Sequence, residues 1–122
     1  MKVTLKDLWN ARGTLGKLSG MPFRAKTAYR LMKLIDQANK EIEPFAKVRQ
    51  ELFLKYGDQE GEMVTIKPEN VEAFTAELAE LENQTVELKF TVSLEEIEEA
   101  KLTPSEIYDL AFLFTDEIAA SQ

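Results

Sequence analysis

The chain contains no cysteine and no histidine. The first absence removes disulfides and thiolate nucleophiles, the second removes imidazole bases, and together they remove every common zinc site. Catalysis would have to rest on carboxylates, Lys, Tyr, Ser or Thr, and no pair of these stands out from ordinary surface composition, so a non-enzymatic protein with no cofactor and no metal is expected. Long apolar runs are also missing. Nowhere do about 18 consecutive apolar residues occur, and the start lacks a secretory apolar segment, which predicts a protein without a membrane partner. Glycine and proline are scarce, five and four in 122 residues, so their positions punctuate the chain: Gly20 with Pro22, Pro44 alone, Gly57 to Pro68, and Pro104.

What is present is charge, unevenly placed. From Met1 to Tyr56 there are 12 Lys and Arg against 5 Asp and Glu, net +7; from Gly57 to Gln122 there are 3 against 17, net −14. The overall −7 thus divides into a basic half and an acidic half. Two halves that fold against each other with complementary fields explain this division, and so does one half that meets a charged partner. The length suits a single domain over residues 1–122 with one modest core.

One periodicity dominates. From Phe23 to Tyr56, apolar residues at Ala28, Leu31, Ile35, Ala38, Ile42, Phe45, Leu52 and Tyr56 fall three and four apart, interrupted only by Arg49. That spacing predicts one long helix with a continuous apolar seam. Pro44 inside it deletes a backbone donor, at a cost of about 3 kcal/mol, and predicts a kink near residues 40–43 rather than a change of phase. Before it, Thr4 and Asp7 form a capping signal for a helix from about Leu5, with Leu5, Leu8, Trp9, Leu15 and Leu18 inward and Gly20 as its stop. Pro22 is placed for the first turn of the long helix.

After Gly57 a polar turn or loop leads to Met63–Ile66, of strand composition. Pro68 and Glu69 open an acidic helix whose Val71, Phe74, Leu78 and Leu81 face inward, the natural antiparallel partner for the seam. Val86, Leu88, Phe90 and Val92 alternate with polar residues and mark the strongest strand, to which Met63–Ile66 or residues 2–5 can pair. Residues 94–99 suggest a helical turn or two. Thr103, Pro104 and Glu106 start a last helix burying Ile107, Leu110, Ala111 and Phe114, and residues 119–122 are expected to fray.

Candidate interaction residues lie on the long helix. Lys26, Arg30, Lys33, Lys40 and Lys47 line up as a basic stripe away from the seam, able to neutralise phosphates but without interleaved aromatics for base stacking. Arg49 sits in the seam itself, either packing its stem while its guanidinium reaches solvent or a facing Glu, or setting register in a partner helix or homodimer. Residues 13–20 have a passing likeness to a phosphate loop, but only two residues separate Gly13 from Gly16 and Leu18 follows Lys17, where such a loop needs four and a hydroxyl. Glu95, Glu96, Glu98 and Glu99 lack the spacing of a calcium loop and read as solvated charge.

The order of short segments carries a further likeness: Leu15-Gly16-Lys17-Leu18, the run from Pro22 to Leu31, the run from Glu43 to Leu52, Lys55-Tyr56-Gly57, Pro68 to Val71, and Leu102 to Glu106. Together these resemble a family of small proteins of unknown function encoded by phages and prophages of Gram-positive bacteria. Pro44 departs from that pattern. The resemblance implies a phage origin and no known enzymatic activity, and it assigns no functional residue.

The fold expected is α+β with helices dominant: the long helix in an antiparallel helical hairpin, a small antiparallel strand pair and a C-terminal helix. The function expected is that of a phage accessory or minor structural protein, in the bacterial host cytoplasm or the virion, acting on a phage or host protein partner or on a second copy through its helices. An acidic nucleic-acid mimic that inhibits a host nucleic-acid-binding or defence protein is the alternative. Direct nucleic-acid binding through the basic stripe ranks third.

Overall fold

A computed structural model describes residues 1–114. The element order is β1 (Lys2–Thr4), α1 (Leu5–Ser19), α2 (Ala25–Tyr56), β2 (Gly57–Glu60), β3 (Met63–Ile66), α3 (Val71–Glu82), β4 (Thr85–Glu87) and α4 (Pro104–Leu110), with single 3₁₀ turns at Pro68–Asn70 and Ala111–Phe114. The fold is α+β and helix-dominated, as the sequence implied. The expected fraying of residues 119–122 lies outside the described residues.

The caps form where the sequence places them. The Thr4 hydroxyl accepts from the Asp7 amide while the Asp7 carboxylate accepts from the Thr4 amide, and Thr103 and Glu106 repeat the box at α4. At Gly20 α1 closes, the Gly20 amide donating to the Lys17 carbonyl and the Met21 amide to that of Leu18. Helix α2 starts only at Ala25, so Pro22 belongs to the linker rather than to the first turn. Pro44 does not split α2, which runs unbroken for 32 residues. Pro44 and Lys40 are both exposed, so the backbone donor that proline removes is missing from the outer face of the helix and not from the core side.

Packing corrects the expected partner of the seam. Helix α1 packs on α2 with Trp9 against Phe45, and α3 covers its last turns, where Phe74 meets Phe53 and Tyr56. Length explains this: a 12-residue helix spans about 18 Å and cannot cover a helix of about 48 Å. The seam is therefore filled from within the chain. Its first turns are also rotated from the expected set, because Thr27 and Leu34 are buried while Ala28 is exposed.

After α3 the chain retraces α2 in the opposite direction: Phe74 beside Phe53, Glu87 beside Gln37, Glu96 beside Arg30. Leu88, Val92 and Ile97 drop from this segment into the core formed by Leu8, Leu15 and Leu18 of α1 and Leu31, Leu34 and Ala38 of α2. Leu110, Leu113 and Phe114 close it from the α4 side. Each such aliphatic side chain withdrawn from water contributes about 1.5–3 kcal/mol before entropy is counted.

Two small antiparallel sheets form. β1 pairs with β4, Val3 opposite Val86. The expected strand from Val86 to Val92 shortens to Thr85–Glu87 because its partner runs out at Met1. Beyond that point the Gln37 side chain substitutes for a strand, its amide donating to the Glu87 carbonyl at 2.7 Å and its oxygen accepting from the Lys89 amide at 2.9 Å. β3 pairs not with this segment but with β2, in the stretch expected to be a loop. A two-residue turn at 61–62 joins them, and Gly61, with a φ of 64°, is the one residue among those described to take a positive φ, the signature of a type II′ hairpin. Residues 94–100 form successive i to i+3 turns rather than a helix.

Candidate interaction surfaces

The basic stripe keeps its geometry but not its free charge. Arg30 donates from Nη1 to both carboxylate oxygens of Glu96 at 3.0 Å. Lys40 pairs with Asp36 at 3.2 Å and Lys47 with Glu43 at 3.8 Å, each one helical turn away. The Lys33 ammonium sits 5.7 Å from the centre of the Tyr29 ring. Lys26, exposed, has no carboxylate within 4.0 Å among the described residues.

The two charged halves of the chain do fold against each other. Lys6 reaches Glu82 (3.7 Å), Lys17 reaches Glu106 (2.9 Å), Arg30 reaches Glu96 (3.0 Å) and Lys55 reaches Glu77 (3.4 Å), every one a pair between the basic and the acidic half. Glu96 is the best built of these. Burial pushes its carboxyl up, but the Ser93 amide and hydroxyl together with Arg30 outweigh that and hold it below the usual carboxylate range. Glu106 is held low by the Thr103 amide and by Lys17. The other carboxylates of the 95–99 cluster, Glu95, Glu98 and Glu99, line a cleft of about 310 Å³ with Phe23, Arg24 and Thr27. That cleft lies at the start of α2, whose first turn has no acidic residue and no side-chain cap, so the cluster supplies from across the fold the negative charge that the helix end favours.

Arg49 meets neither solvent alone nor a facing Glu. Its guanidinium carbon lies 4.9 Å from the centre of the Trp9 ring and 4.7 Å from that of Phe53. Arg12 stacks on the same indole at 3.6 Å and donates to the Trp9 carbonyl. From Phe53 the contacts continue to Phe74 at 4.9 Å, from Phe74 to Tyr56 at 6.3 Å, and from Tyr56 to the Lys55 ammonium at 4.9 Å. This cation and ring ladder ties α1, α2 and α3 together. Sequence reasoning missed Arg12 and Phe53, although the i,i+3 spacing of Trp9 with Arg12 and the i,i+4 spacing of Arg49 with Phe53 already placed each pair on one helix face.

Apolar surfaces remain as well, among them a cleft lined by Leu94, Ile97, Leu102 and Ile107 and the two that follow. A groove of about 320 Å³ runs between the end of α1 and the start of α2, lined by Leu18, Met21, Phe23, Ala28, Met32 and Ile35. The second is larger in sequence: α3, the β2–β3 hairpin and the last turns of α2 form an arm in which no residue between Phe45 and Leu88 is fully buried. Val48, Leu54, Met63 and Val71 on it are exposed, Met63 by 72%. Among the described residues no group of acidic side chains is arranged to hold a metal ion, and no helix is long and apolar enough to cross a membrane. No protein-family model, curated protein or solved structure matches the chain.

Proposed function

We propose that the protein is a non-enzymatic interaction module whose arm, from Ala46 to Glu87, docks on another protein. The observation that carries this reading is the two-layer construction of the arm. Two helices in contact leave each side chain one open side, and enclosing a residue takes a third layer. At the other end of the molecule α4 and the segment 88–102 supply that layer; along the arm no described element seals a side chain in this way, while Val48, Leu54 and Val71 stay exposed. A partner surface laid across the arm completes it, with apolar contact at the centre and the glutamates of α3 at the rim. The phage accessory or minor structural setting, in the host cytoplasm or the virion, comes from the sequence resemblance.

The test compares the wild type with the double variant Leu54→Lys, Val71→Lys in purified particles and assembly intermediates. Co-purification of the wild type with one defined component, lost in the variant, is expected. Absence from every fraction, or equal retention of both, overturns the reading. A second reading, the acidic mimic, is favoured by Glu72 and Glu80 standing exposed on α3 and Glu69 on the turn before it. It predicts salt-sensitive capture of a host nucleic-acid-binding protein instead. Direct nucleic-acid binding through the stripe has the least support, since Arg30, Lys40 and Lys47 already have carboxylates within 4.0 Å.

A further inference from the structure

We infer that Arg12 and Arg49, stacked on Trp9, form a clamp for a pair of carboxylates on an acidic segment of a protein partner. The inference rests on the interaction reading only in assuming a protein partner; its site is the junction of α1 and α2 and not the exposed apolar side chains of the arm.

The first support is charge that the chain leaves unused. Acidic residues outnumber basic ones by 22 to 15, and Lys6, Lys17, Arg30 and Lys55 each reach a carboxylate of the acidic half. Arg12 and Arg49 have none within 4.0 Å among the described residues, as is true also of Lys2, Arg24, Lys26, Lys33, Lys89 and Lys101, and what sets the two arginines apart is that they share one ring. Acid is close at hand, for Glu82 of α3 reaches Lys6, one turn from Trp9 on α1, yet it leaves both arginines alone. Two guanidiniums held at one ring repel, and an anion that bridges them relieves that repulsion.

The second support is geometry. Both guanidinium carbons lie close to one indole, at 3.6 and 4.9 Å from its centre, so their separation cannot exceed the sum of those distances. Contact with the rings restrains both guanidiniums, and although Arg12 Nη1 donates to the Trp9 carbonyl, the N–H groups that remain form a planar fork able to match a carboxylate bidentately. Phe53 beneath Arg49 and Phe45 beside Trp9 hold the platform in place, the latter at 5.4 Å. Much of the ordering that such a contact needs is therefore present before binding.

The third support decides the kind of anion. A nucleic acid presents a long row of phosphates, and the acidic α3, which approaches α1 through Glu82 and Lys6, repels the part of that row that runs past the two arginines. Two adjacent carboxylates on a short segment bring only local charge to the two arginines.

Trp9 is the one tryptophan of the chain, so its fluorescence reports on this site alone. The experiment titrates the full chain with a blocked tetraglutamate peptide, and separately with a tetraglutamine peptide, inorganic phosphate and an oligothymidylate. A saturable change with tetraglutamate that weakens as salt is raised is expected, with none from tetraglutamine. Arg12→Gln and Arg49→Gln should each weaken it about tenfold or more, and Lys26→Gln should leave it unchanged. Circular dichroism checks that each variant is folded; if Arg49→Gln is not, Arg12→Gln, altered on an exposed helix face, carries the comparison. No saturable change up to millimolar peptide overturns the clamp, as does equal binding by the arginine variants. A response to oligothymidylate in place of the peptide overturns it in favour of nucleic acid, and a response to phosphate without one to the peptide overturns it in favour of a simple anion site. Leu54→Lys, Val71→Lys retains the tetraglutamate response if the clamp is right, whatever becomes of the arm, so the two readings fail separately.

Discussion

From Val3 to Phe45, and again from Leu88 to Phe114, each helix contributes residues sealed from solvent; between Ala46 and Glu87 no residue is sealed. The two regions share one helix and similar residue types. Leu52, Phe53, Leu78 and Leu81 are as apolar as Leu8, Leu31 and Leu34, yet the first group is half-buried and the second is within 3% of fully buried. What separates them is the number of layers packed on α2. Burial follows from how many elements converge on a side chain, and hydrophobicity alone does not secure it. The arm compensates with rings and cations, whose contacts tolerate partial hydration.

The largest expected effect is on the closed end. Phe114→Ala should cost about 3–5 kcal/mol, from lost transfer energy and the cavity left behind, which denaturant unfolding measures. Phe74→Ala in the arm should cost less than half of that, because its site is open and water refills it. Equal costs would mean that the arm is packed as tightly as the core.

Gly57→Ala sharpens the contrast at the root of the hairpin. A Cβ there would lie 2.7 Å from Val64 Cγ1 and 2.8 Å from the carbonyl oxygens of Phe53 and Thr65. Two of those atoms are backbone, so the root must open, at about 1–3 kcal/mol. Hydrogen exchange should show loss of protection at β2 and β3 with α1 little changed. Equal loss in α1 would show that arm and core open as one unit.

The smallest effect concerns pH. Glu96 and Glu106, both at the closed end, titrate below the ordinary carboxylate value of 4.5 in the folded protein. The unfolded chain therefore takes up these protons first as pH falls. The stability they contribute is present above the ordinary range and lost as pH drops from it through their depressed folded values. Glu96→Gln should flatten the acid limb of a stability–pH curve; an unchanged limb would show that Arg30 and Ser93 do not hold this carboxylate in solution.

Much of this was legible in the residues themselves. The boxes at Thr4 and Thr103 are local, so sequence alone placed both helix starts. The three-and-four spacing carried α2 through Pro44, and the charge division anticipated pairs such as Arg30 with Glu96. The site was less legible. The stripe residues were found, but their neutralisation by Asp36, Glu43 and Glu96 needed rotamers and tertiary neighbours. Pairing Trp9 with Arg49 required two helices to be laid side by side, forty residues apart in the chain.

Local chemistry thus determined where helices begin and end, which face of each is apolar and which half carries which sign, because caps, periodicity and charge act within a turn or two. Tertiary structure decided which apolar face is closed, which strand pairs with which, and which cations keep no partner. Those outcomes depend on reach: α3 is too short to cover α2, β1 too short to extend β4, and α4 closes only one end. How far each element extends along its neighbour, a property of lengths and directions together, divides this protein into a sealed core and an open arm.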